Sequence, residues 1–506
     1  MLLGTWGAAL AFWGALAERA DLSASGERGV HAATCFALIA VVGLGWALAV
    51  GDLTYRYVAS WTSSATPLPY RIGAVWAGPS GALLVWAFAL GVGTSIAAAT
   101  LRRGSTLRAW TVALLALLLV AVLVMATFET PPFARLAFPP DDGRGLPLEW
   151  MRPIVLLQMP LGYVAMALVS VPSIMTVMGA LGSAPWRDSA RRWALICWAL
   201  LGAAMLLDWR RRYGDAAWSE GWRWAPVHAG TAFAWAGATL LVLATSRRWR
   251  SGAAVTAGFI AFTLGLGGLT LRRASGWDGV ADFAATLSGR AAAWTAFVLV
   301  VAASVEGLRA APQVVSGLAA RALRTSHAAV LAATAALVAA GVVQRADLSV
   351  REGERVRTAD RFGTPWTLSL EGVSTVGREA VVANVVAVRA AVKGRARAFV
   401  TAEVRSLYVG EGREAADQIA LSGIAPGLAQ DLRVDVREAN TADALLTVQF
   451  IPGASWLWIA GVVAVLAALV SAFARLPALA RDDATETAGA SVGDAASGAA
   501  PGTEGA

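Results

Sequence analysis

The sequence predicts an all-α polytopic membrane bundle of about eleven helices with an inserted extracytoplasmic β-domain. Hydrophobic residues make up 57% of the chain and charged residues only 15%, whereas about a quarter of a soluble domain is charged. The mean hydropathy is +0.58, and apolar runs long enough to cross about 30 Å of hydrocarbon recur along the chain. One segment near the C-terminus alternates apolar and polar residues instead.

The membrane part is predicted to comprise residues 1–343 and a last helix at 454–475. Apolar runs inside lipid must be helical, because a helix satisfies its own backbone hydrogen bonds. The runs in chain order are 2–17, 30–50, 75–100, 109–127, 154–182, 193–208, 229–246, 252–271, 291–311, 326–343 and 455–474. The first run has no basic region before it, so we expect a retained helix rather than a cleaved signal.

Arginine clusters between alternate helices predict the orientation of the bundle. The clusters are Arg102, Arg103 and Arg108; Arg187, Arg191 and Arg192; Arg247, Arg248 and Arg250; and Arg321 and Arg324. The positive-inside rule places them in the cytoplasm, with the N-terminus outside and the C-terminus cytoplasmic. Two groups lie outside against this rule, Arg210 to Arg212 and the pair Arg272 and Arg273. These two arginine groups either have a functional role or reflect the ordinary scatter of the positive-inside rule.

The segment 344–453 is predicted to be the extracytoplasmic β-domain. Stretches such as Trp366-Thr-Leu-Ser-Leu-Glu and Leu432-Arg-Val-Asp-Val alternate with a period of two between glycine-bearing turns, the pattern of half-buried strands. The tail 476–506 consists mainly of small and acidic residues without an apolar stripe. We expect this tail to be disordered and cytoplasmic.

Composition excludes several kinds of chemistry. Cys35 and Cys197 lie inside predicted helices, and the chain has no CxxC or CxxCH motif. Disulfide exchange and covalent haem attachment to this chain are therefore not expected. The pI of about 10.2 reflects arginine at helix ends, so we expect membrane lipid and no nucleic acid as a partner. Ionisable residues are scarce at mid-helix positions, which disfavours an ion-coupled transporter.

The predicted outside loop 209–228 concentrates residues suited to a planar ligand. It contains Trp209, Trp218, Trp222 and Trp224 beside arginines, and it ends at His228. Indole rings offer stacking surface, arginine forks suit carboxylates such as haem propionates, and a histidine ligates iron. The alternative is an aromatic belt at the membrane surface, which also predicts tryptophan beside arginine.

Several short motifs follow one another between about Asp52 and Pro477. They are Tyr57-Val-Ala-Ser, Leu68-Pro-Tyr-Arg-Ile-Gly, Gly81-Ala-Leu-Leu-Val-Trp86, Pro132-Phe-Ala-Arg-Leu, Pro140-Asp-Asp-Gly-Arg-Gly-Leu-Pro-Leu148, Gly162-Tyr-Val, Trp218 to Trp235, Arg405-Ser-Leu-Tyr408, Ala416-Asp-Gln-Ile419 and Pro452 to Trp458. Their content and collinear order resemble the CcmF-type cytochrome c maturation proteins, haem lyase subunits of the haem-handling family marked by a tryptophan-rich (WWD) loop.

The chain departs from this family pattern at its histidines. Pro79-Ser80 replaces a His-Glu pair, Val155-Leu-Leu replaces HPP, and Trp224-Ala-Pro-Val-His-Ala229 replaces WDPVEN. The family histidines expected after Thr270 and near Leu243 are also absent. Because these histidines are absent, an alternative function is that of a scaffold, which holds maturation partners without binding haem.

The resemblance implies haem as cofactor, and apocytochrome c and other cytochrome c maturation proteins as partners, in a bacterial inner membrane. It implies a haem lyase (holocytochrome c synthase) type of activity, with a haem or solute transporter as the least favoured alternative. The implied haem-binding residues are Trp218, Trp222 and Trp224 for stacking, Arg144, Arg210, Arg211, Arg212 and Arg223 for propionates, and His228 for iron. His31 and His327 begin predicted helices, where we expect solvated or capping side chains.

Overall fold

A computed structural model of the chain describes residues 1–474 except 183–184, 217–225, 247–249, 274–297, 299, 310–316, 379–380, 393–394, 408–416 and 440–442. The predicted disordered tail at 476–506 lies outside these residues. The described part consists of a helical bundle and a separate β-domain, as the sequence predicts.

The first two helices, α1 (Leu2–Leu16) and α2 (Ala20–Val50), pack through small residues. A Cβ at Gly7 would lie 2.8 Å from the backbone of Gly29, and a Cβ at Gly26 would lie 2.4 Å from the backbone nitrogen of Ala11. Small residues let membrane helices approach closely in this way. The predicted apolar run spans 30–50, but α2 begins at Ala20. The packing against α1 explains the difference, because it orders the polar residues before position 30.

The next helices frame a compact loop region. Two short helices, α3 (Arg56–Trp61) and α4 (Leu68–Gly73), are followed by a 3-10 turn at Ala74–Trp76. Helix α5 (Pro79–Thr100) then begins with proline, which suits the first helical turn because proline lacks an N–H. The Ser105 side chain caps α6 (Thr106–Phe128) by accepting from the Arg108 N–H at 3.3 Å.

The remaining described helices are α7 (Pro153–Leu181), α8 (Arg187–Tyr213), α9 (Pro226–Ser246), α10 (Ser251–Arg273), α11 (residues 300–309), α12 (Gly317–Ala340) and α13 (Ala454–Phe473). Among the residues that the structure describes, seven helices are long and apolar enough to span a membrane. The predicted number of about eleven is not confirmed. Shorter apolar helices occur at Leu2–Leu16, Gly230–Ser246 and Ser251–Gly267.

The β-domain joins α12 to α13. Its described strands are β1 (Gln344–Arg351), β2 (Arg355–Ala359), β3 (Pro365–Arg378), β4 (Val381–Val392), β5 (Arg395–Leu407), β6 (Asp417–Leu421), β7 (Gly423–Ala425), β8 (Gln430–Ala439) and β9 (Asp443–Pro452). They form two antiparallel sheets in the orders β1-β9-β8-β7 and β2-β3-β4-β5-β6. Alternate residues such as Leu368, Val388, Val434 and Phe450 fill the core between the sheets, as the period-two pattern requires.

Candidate functional site

An apolar cleft lies at the end of the bundle that adjoins the β-domain. Its water-accessible volume is about 100 Å³, and helices α8, α9, α11, α12 and α13 form its walls. Three tryptophans, Trp198, Trp209 and Trp235, line it together with aliphatic residues such as Leu337 and Leu457. Leu337 lies in the last turn of α12 and Leu457 in the first turn of α13, so the cleft lies directly beneath the β-domain connections.

Two of the tryptophans form a pair that is held by hydrogen bonds. The rings of Trp198 and Trp235 lie 5.1 Å apart between centroids at an interplanar angle of 35°. The indole N–H of Trp198 donates to the Thr239 hydroxyl at 2.9 Å, and that hydroxyl donates to the Trp235 carbonyl oxygen at 2.8 Å. The buried indole N–H of Trp235 has no hydrogen-bond partner among the described residues. The pair therefore presents a fixed aromatic wall.

His327 lies one turn from the cleft, and its surroundings correct the sequence prediction. Helix α12 begins at Gly317, so His327 lies within it rather than at its start. The side chain is buried, and neither ring nitrogen has a hydrogen-bond partner among the described residues. Val330 and Thr334 follow at i+3 and i+7 on the same helix face and line the cleft. Burying an imidazole without a hydrogen bond is costly, which makes His327 a candidate functional residue.

A glycine on the neighbouring helix makes room for this imidazole. A Cβ at Gly307 would lie 2.4 Å from the His327 Nε2 atom. Val300 and Val301, on the same helix α11, line the cleft. By contrast, His31 is exposed, and its Nδ1 atom lies 2.8 Å from the Ser95 hydroxyl. The expectation of a solvated or capping side chain at a helix start is therefore wrong for His327. His31 is exposed, as expected, but it lies within α2 and not at its start.

An ionic cluster holds the end of α8, which leads into the tryptophan-rich loop. Arg152 forms an ion pair with Asp215, and it also donates to the Arg211 carbonyl oxygen at 3.0 Å. Arg211 pairs with Asp208 at 3.3 Å and with Asp215 at 3.8 Å. Burial raises the pKa of the Asp215 carboxyl, and the neighbouring Arg152 and Arg211 oppose that shift. Two carboxylates therefore hold the Arg211 side chain.

Strand β8 fixes the residues that follow this cluster. The fully buried Arg433 donates to the backbone oxygen of Asp215 at 2.5 Å, and its guanidinium lies 3.1 Å from Asp435. The Tyr213 hydroxyl donates to Asp431 at 2.9 Å. The Ser422 N–H donates to the Gly214 carbonyl oxygen at 2.9 Å. The polar face of the β-domain therefore holds residues 213–215 against the bundle.

A second contact joins the β-domain to the loop that contains Arg144. The Leu148 N–H donates to Asp417 at 2.7 Å. The Arg144 N–H donates to the Ala59 carbonyl oxygen at 2.9 Å, and its side chain is exposed. The ring of Trp150 lies 6.3 Å from that of Trp61. Arg144 therefore projects from a loop that is anchored on both sides.

The structure describes some of the other predicted site residues and leaves the rest outside the described part. Arg210 is exposed, Arg211 is buried and paired, and Arg212 is half-buried, all in the last turn of α8. Helix α8 thus continues five residues into the predicted loop. The residues outside the described part are Trp218, Trp222, Arg223 and Trp224, together with the side chain of His228, whose backbone lies in the first turn of α9.

Sequence reasoning missed Trp198, Trp235 and His327, which lie inside apolar runs. The sequence feature that could have identified them is the spacing of large or polar residues along one helix face. His327, Val330 and Thr334 on α12 have this spacing. The described residues contain no group of three or more His, Cys, Asp or Glu residues able to hold a metal ion. A metal centre made of protein ligands alone is therefore not found in this part of the chain.

Comparison with known proteins places the chain beside one family. No protein-family model matches it. It is 30% identical over 207 residues to the cytochrome c-type biogenesis protein CcmF of Pseudomonas aeruginosa, covering 39% of this chain and 31% of the relative. It is 29% identical over 273 residues to CcmF of Haemophilus influenzae, covering 52% and 42%. The sequence match thus spans less than half the length of these curated relatives.

The fold agrees over a much larger share. A solved structure of a cytochrome c heme lyase CcmF superposes with a TM-score of 0.62 at 18% identity, covering 94% of this chain and 96% of that one. The likeness includes both the helical bundle and the β-domain, and it agrees with the motif order in the sequence. The apolar helices and these relatives together indicate a multi-pass protein of a bacterial inner membrane. The chain is therefore similar in sequence to curated CcmF proteins and in fold to a solved CcmF structure.

Proposed function

We propose that this chain acts in cytochrome c biogenesis, as a haem-handling subunit that presents haem to apocytochrome c for covalent attachment. The observation that carries the proposal is the tryptophan-lined cleft with His327 one turn away, whose ring nitrogens have no hydrogen-bond partner among the described residues. An apolar, aromatic cleft suits the flat face of a porphyrin. Relatives named as cytochrome c-type biogenesis proteins support it.

In this proposal the tryptophans of the loop, which lie outside the described residues, take part in haem binding. Trp218, Trp222 and Trp224 would stack against the part of the ring that lies outside the cleft. The exposed Arg144 and Arg210, with Arg212 and Arg223, would pair with the propionates. Arg211 is already held by Asp208 and Asp215, so its part would be to fix the end of α8.

His327 and His228 are the two candidates for iron ligation. A neutral imidazole nitrogen is a common iron ligand. Neither ring nitrogen of His327 has a hydrogen-bond partner among the described residues. Because Gly307 of α11 packs against the Nε2 atom, the proposed ligand atom is Nδ1. Bound haem supplies the vinyl groups, and the chain would hold and orient them beside the thiols of apocytochrome c. Positioning, rather than covalent chemistry, is the proposed contribution of this protein.

The proposed topology follows the arginine distribution. The N-terminus, the 209–228 loop and the β-domain would lie outside the cytoplasmic membrane, with the C-terminus in the cytoplasm. About eleven helices would then cross the membrane. Other cytochrome c maturation proteins would meet the chain on this outer face.

The experiment is haem titration of the full chain in mild detergent, read as a Soret band. Ala333→Phe fills the cleft from the α12 side, whereas Ala335→Phe adds the same ring to an exposed position two residues along. We expect Ala333→Phe to lower haem occupancy and Ala335→Phe to leave it unchanged. We expect His327→Ala to shift the Soret maximum if His327 ligates iron, and His228→Ala to do so if His228 does. Equal haem binding by all four variants and the parent would refute the site.

A scaffold that holds maturation partners without haem is the second candidate. The replaced family histidines favour it, because histidine is the expected axial ligand. The absence of a Soret band under all conditions, with the protein still monodisperse, would support this reading. Complementation of a strain that lacks its own haem lyase then tests whether the chain supports covalent haem attachment. Only a working subunit restores covalent haem staining of cytochrome c.

A further inference from the structure

Exposed apolar side chains cluster where the β-domain joins the membrane helices. Val342 and Val343, which lie between α12 and β1, are 55% and 40% exposed. Phe362, in the turn between β2 and β3, is 67% exposed. Leu428, before β8, is 65% exposed, and Trp456, in the first turn of α13, is 50% exposed. We call these five residues the apolar rim.

Backbone and side-chain contacts hold one part of the rim at the start of α13. The Trp456 indole N–H donates to the Leu428 carbonyl oxygen at 2.9 Å, and the Gly453 N–H donates to the Ala429 carbonyl oxygen at 3.1 Å. Gly453 has a φ of +72°, which lets the chain turn from strand into helix without strain. Tryptophan at the end of a membrane helix lies at the lipid–water interface. Leu428 therefore lies at the same level.

A rigid turn brings Phe362 to the same end of the domain. The Asp360 carboxylate accepts from the Phe362 N–H and the Thr364 N–H, each at 2.9 Å. It also accepts from the Gln430 side chain at 2.6 Å, which ties this turn to the start of β8. The Arg361 guanidinium lies 5.6 Å from the Phe362 ring. The turn thus presents an aromatic ring with a cation beside it.

A further contact joins this turn to the exit of α12. The Gln344 side chain donates to the Ala359 carbonyl oxygen at 2.9 Å. Gln344 is the first residue of β1 and directly follows Val343. The rim therefore follows both membrane connections of the β-domain.

We propose that the apolar rim inserts into the head-group region of the membrane that α12 and α13 span. Phe362 and Leu428 enter the boundary with the acyl chains, and Arg361 contacts lipid phosphates. Lipid is the occupant because the rim continues from the ends of two membrane helices. Single exposed apolar residues are ordinary on protein surfaces, but these five share one end of the domain. Insertion fixes the height and tilt of the β-domain independently of haem binding.

The test uses full-length chain with Cys35→Ser and Cys197→Ala, in which Phe362→Cys or Leu428→Cys is labelled with an environment-sensitive fluorophore. Phe399→Cys is the matched control, because Phe399 is 62% exposed and lies opposite Arg389 on a charged sheet face. The labelled proteins are reconstituted into phosphatidylcholine vesicles with and without lipid that carries a nitroxide near its head group.

We expect emission at positions 362 and 428 to shift to shorter wavelength and to be quenched by the nitroxide lipid. Emission at position 399 should stay at long wavelength and unquenched. Quenching at 362 and 428 no greater than at 399 would overturn the proposal. A short-wavelength shift without quenching would also overturn it, since the rim would then lie against protein. Circular dichroism of each variant confirms that the β-domain remains folded.

Discussion

Replacing Arg433 with methionine should destabilise the β-domain strongly. Arg433 is fully buried, lies 3.1 Å from Asp435 and donates to the Ser422 hydroxyl at 3.0 Å. Arg433→Met keeps most of the side-chain volume but leaves the Asp435 carboxylate buried without its counter-charge. Breaking a buried pair in this way costs about 3–5 kcal/mol. A shift of roughly 10–20 °C in apparent melting temperature follows for a domain of about 110 residues.

The assay is thermal melting of the full chain in detergent, followed by the β-sheet circular dichroism signal at one fixed scan rate. Arg389→Met is the matched control, because Arg389 forms a pair with Glu371 at 2.9 Å on an exposed face of the same domain. Such surface pairs contribute about 0–1 kcal/mol. Similar melting temperatures for the two variants would refute the reasoning.

Lowering the pH should reduce the loss of stability that Arg433→Met causes. Burial raises the pKa of Asp435, and the charge of Arg433 opposes that rise. Without Arg433 the folded-state pKa rises further above the unfolded value, so the folded state takes up a proton more readily as the pH falls. The difference in melting temperature from the parent should therefore narrow as the pH falls below about 7. Arg433→Met/Asp435→Leu should recover most of the stability at pH 7, because no unpaired charge remains.

Three further substitutions test other parts of the fold. Gly81→Ala should reduce the yield of monodisperse protein on size exclusion, because its Cβ would lie 1.7 Å from the Val75 carbonyl oxygen and overpacking costs about 1–3 kcal/mol or more. Tyr213→Phe should lower the apparent melting temperature by the equivalent of about 1 kcal/mol, since it removes the hydrogen bond to buried Asp431. Burial raises the pKa of Asp360, but the hydrogen bonds that it accepts outweigh burial and hold that pKa below its usual value. Above about pH 4, the Asp360→Asn variant should therefore have a lower apparent melting temperature than the parent. As the pH falls further, the melting temperature of the parent should drop more than that of the variant.

Local patterns in the sequence predicted the β-domain and the apolar helices. Period-two alternation places core residues such as Leu368 and Val434 on one face of a strand regardless of what the strand pairs with. Apolar runs likewise predict a helix because lipid leaves the backbone no other partner. These features depend on near neighbours in the chain, so a single sequence contains them.

Helix ends depend on distant partners and were harder to predict. Helix α8 continues past the apolar run to Tyr213 because Arg152 and Asp215 hold its polar last turn. The bond between Tyr213 and Asp431 joins residues 218 positions apart. Hydropathy along the chain contains no information about such pairings. The polar residues after position 208 therefore appeared to belong to a loop.

The cleft was hidden for the same reason. Trp198 and Trp235 lie on different helices, and each alone is an ordinary apolar residue of a membrane segment. His327 begins an apolar run in the sequence, but Gly307 leaves room that lets α11 cover it. Burial of a histidine is a property of the packed bundle, and only the structure distinguishes it from a solvated helix start.

The contacts around the cleft imply that the β-domain sets its shape. Trp209 lines the cleft, and Tyr213, one turn later on α8, bonds to β8 and lies 5.6 Å from the Trp458 ring of α13. Leu337 and Leu457 line it from helix turns that lead directly into and out of the β-domain. Three of the helices that line the cleft, α8, α12 and α13, therefore contact or connect to the β-domain within one or two helical turns of the cleft. Because close-packed interiors transmit small displacements, a shift of the β-domain changes the width of the cleft. If the chain binds haem as proposed, a partner that binds the β-domain would alter haem occupancy without touching the cleft.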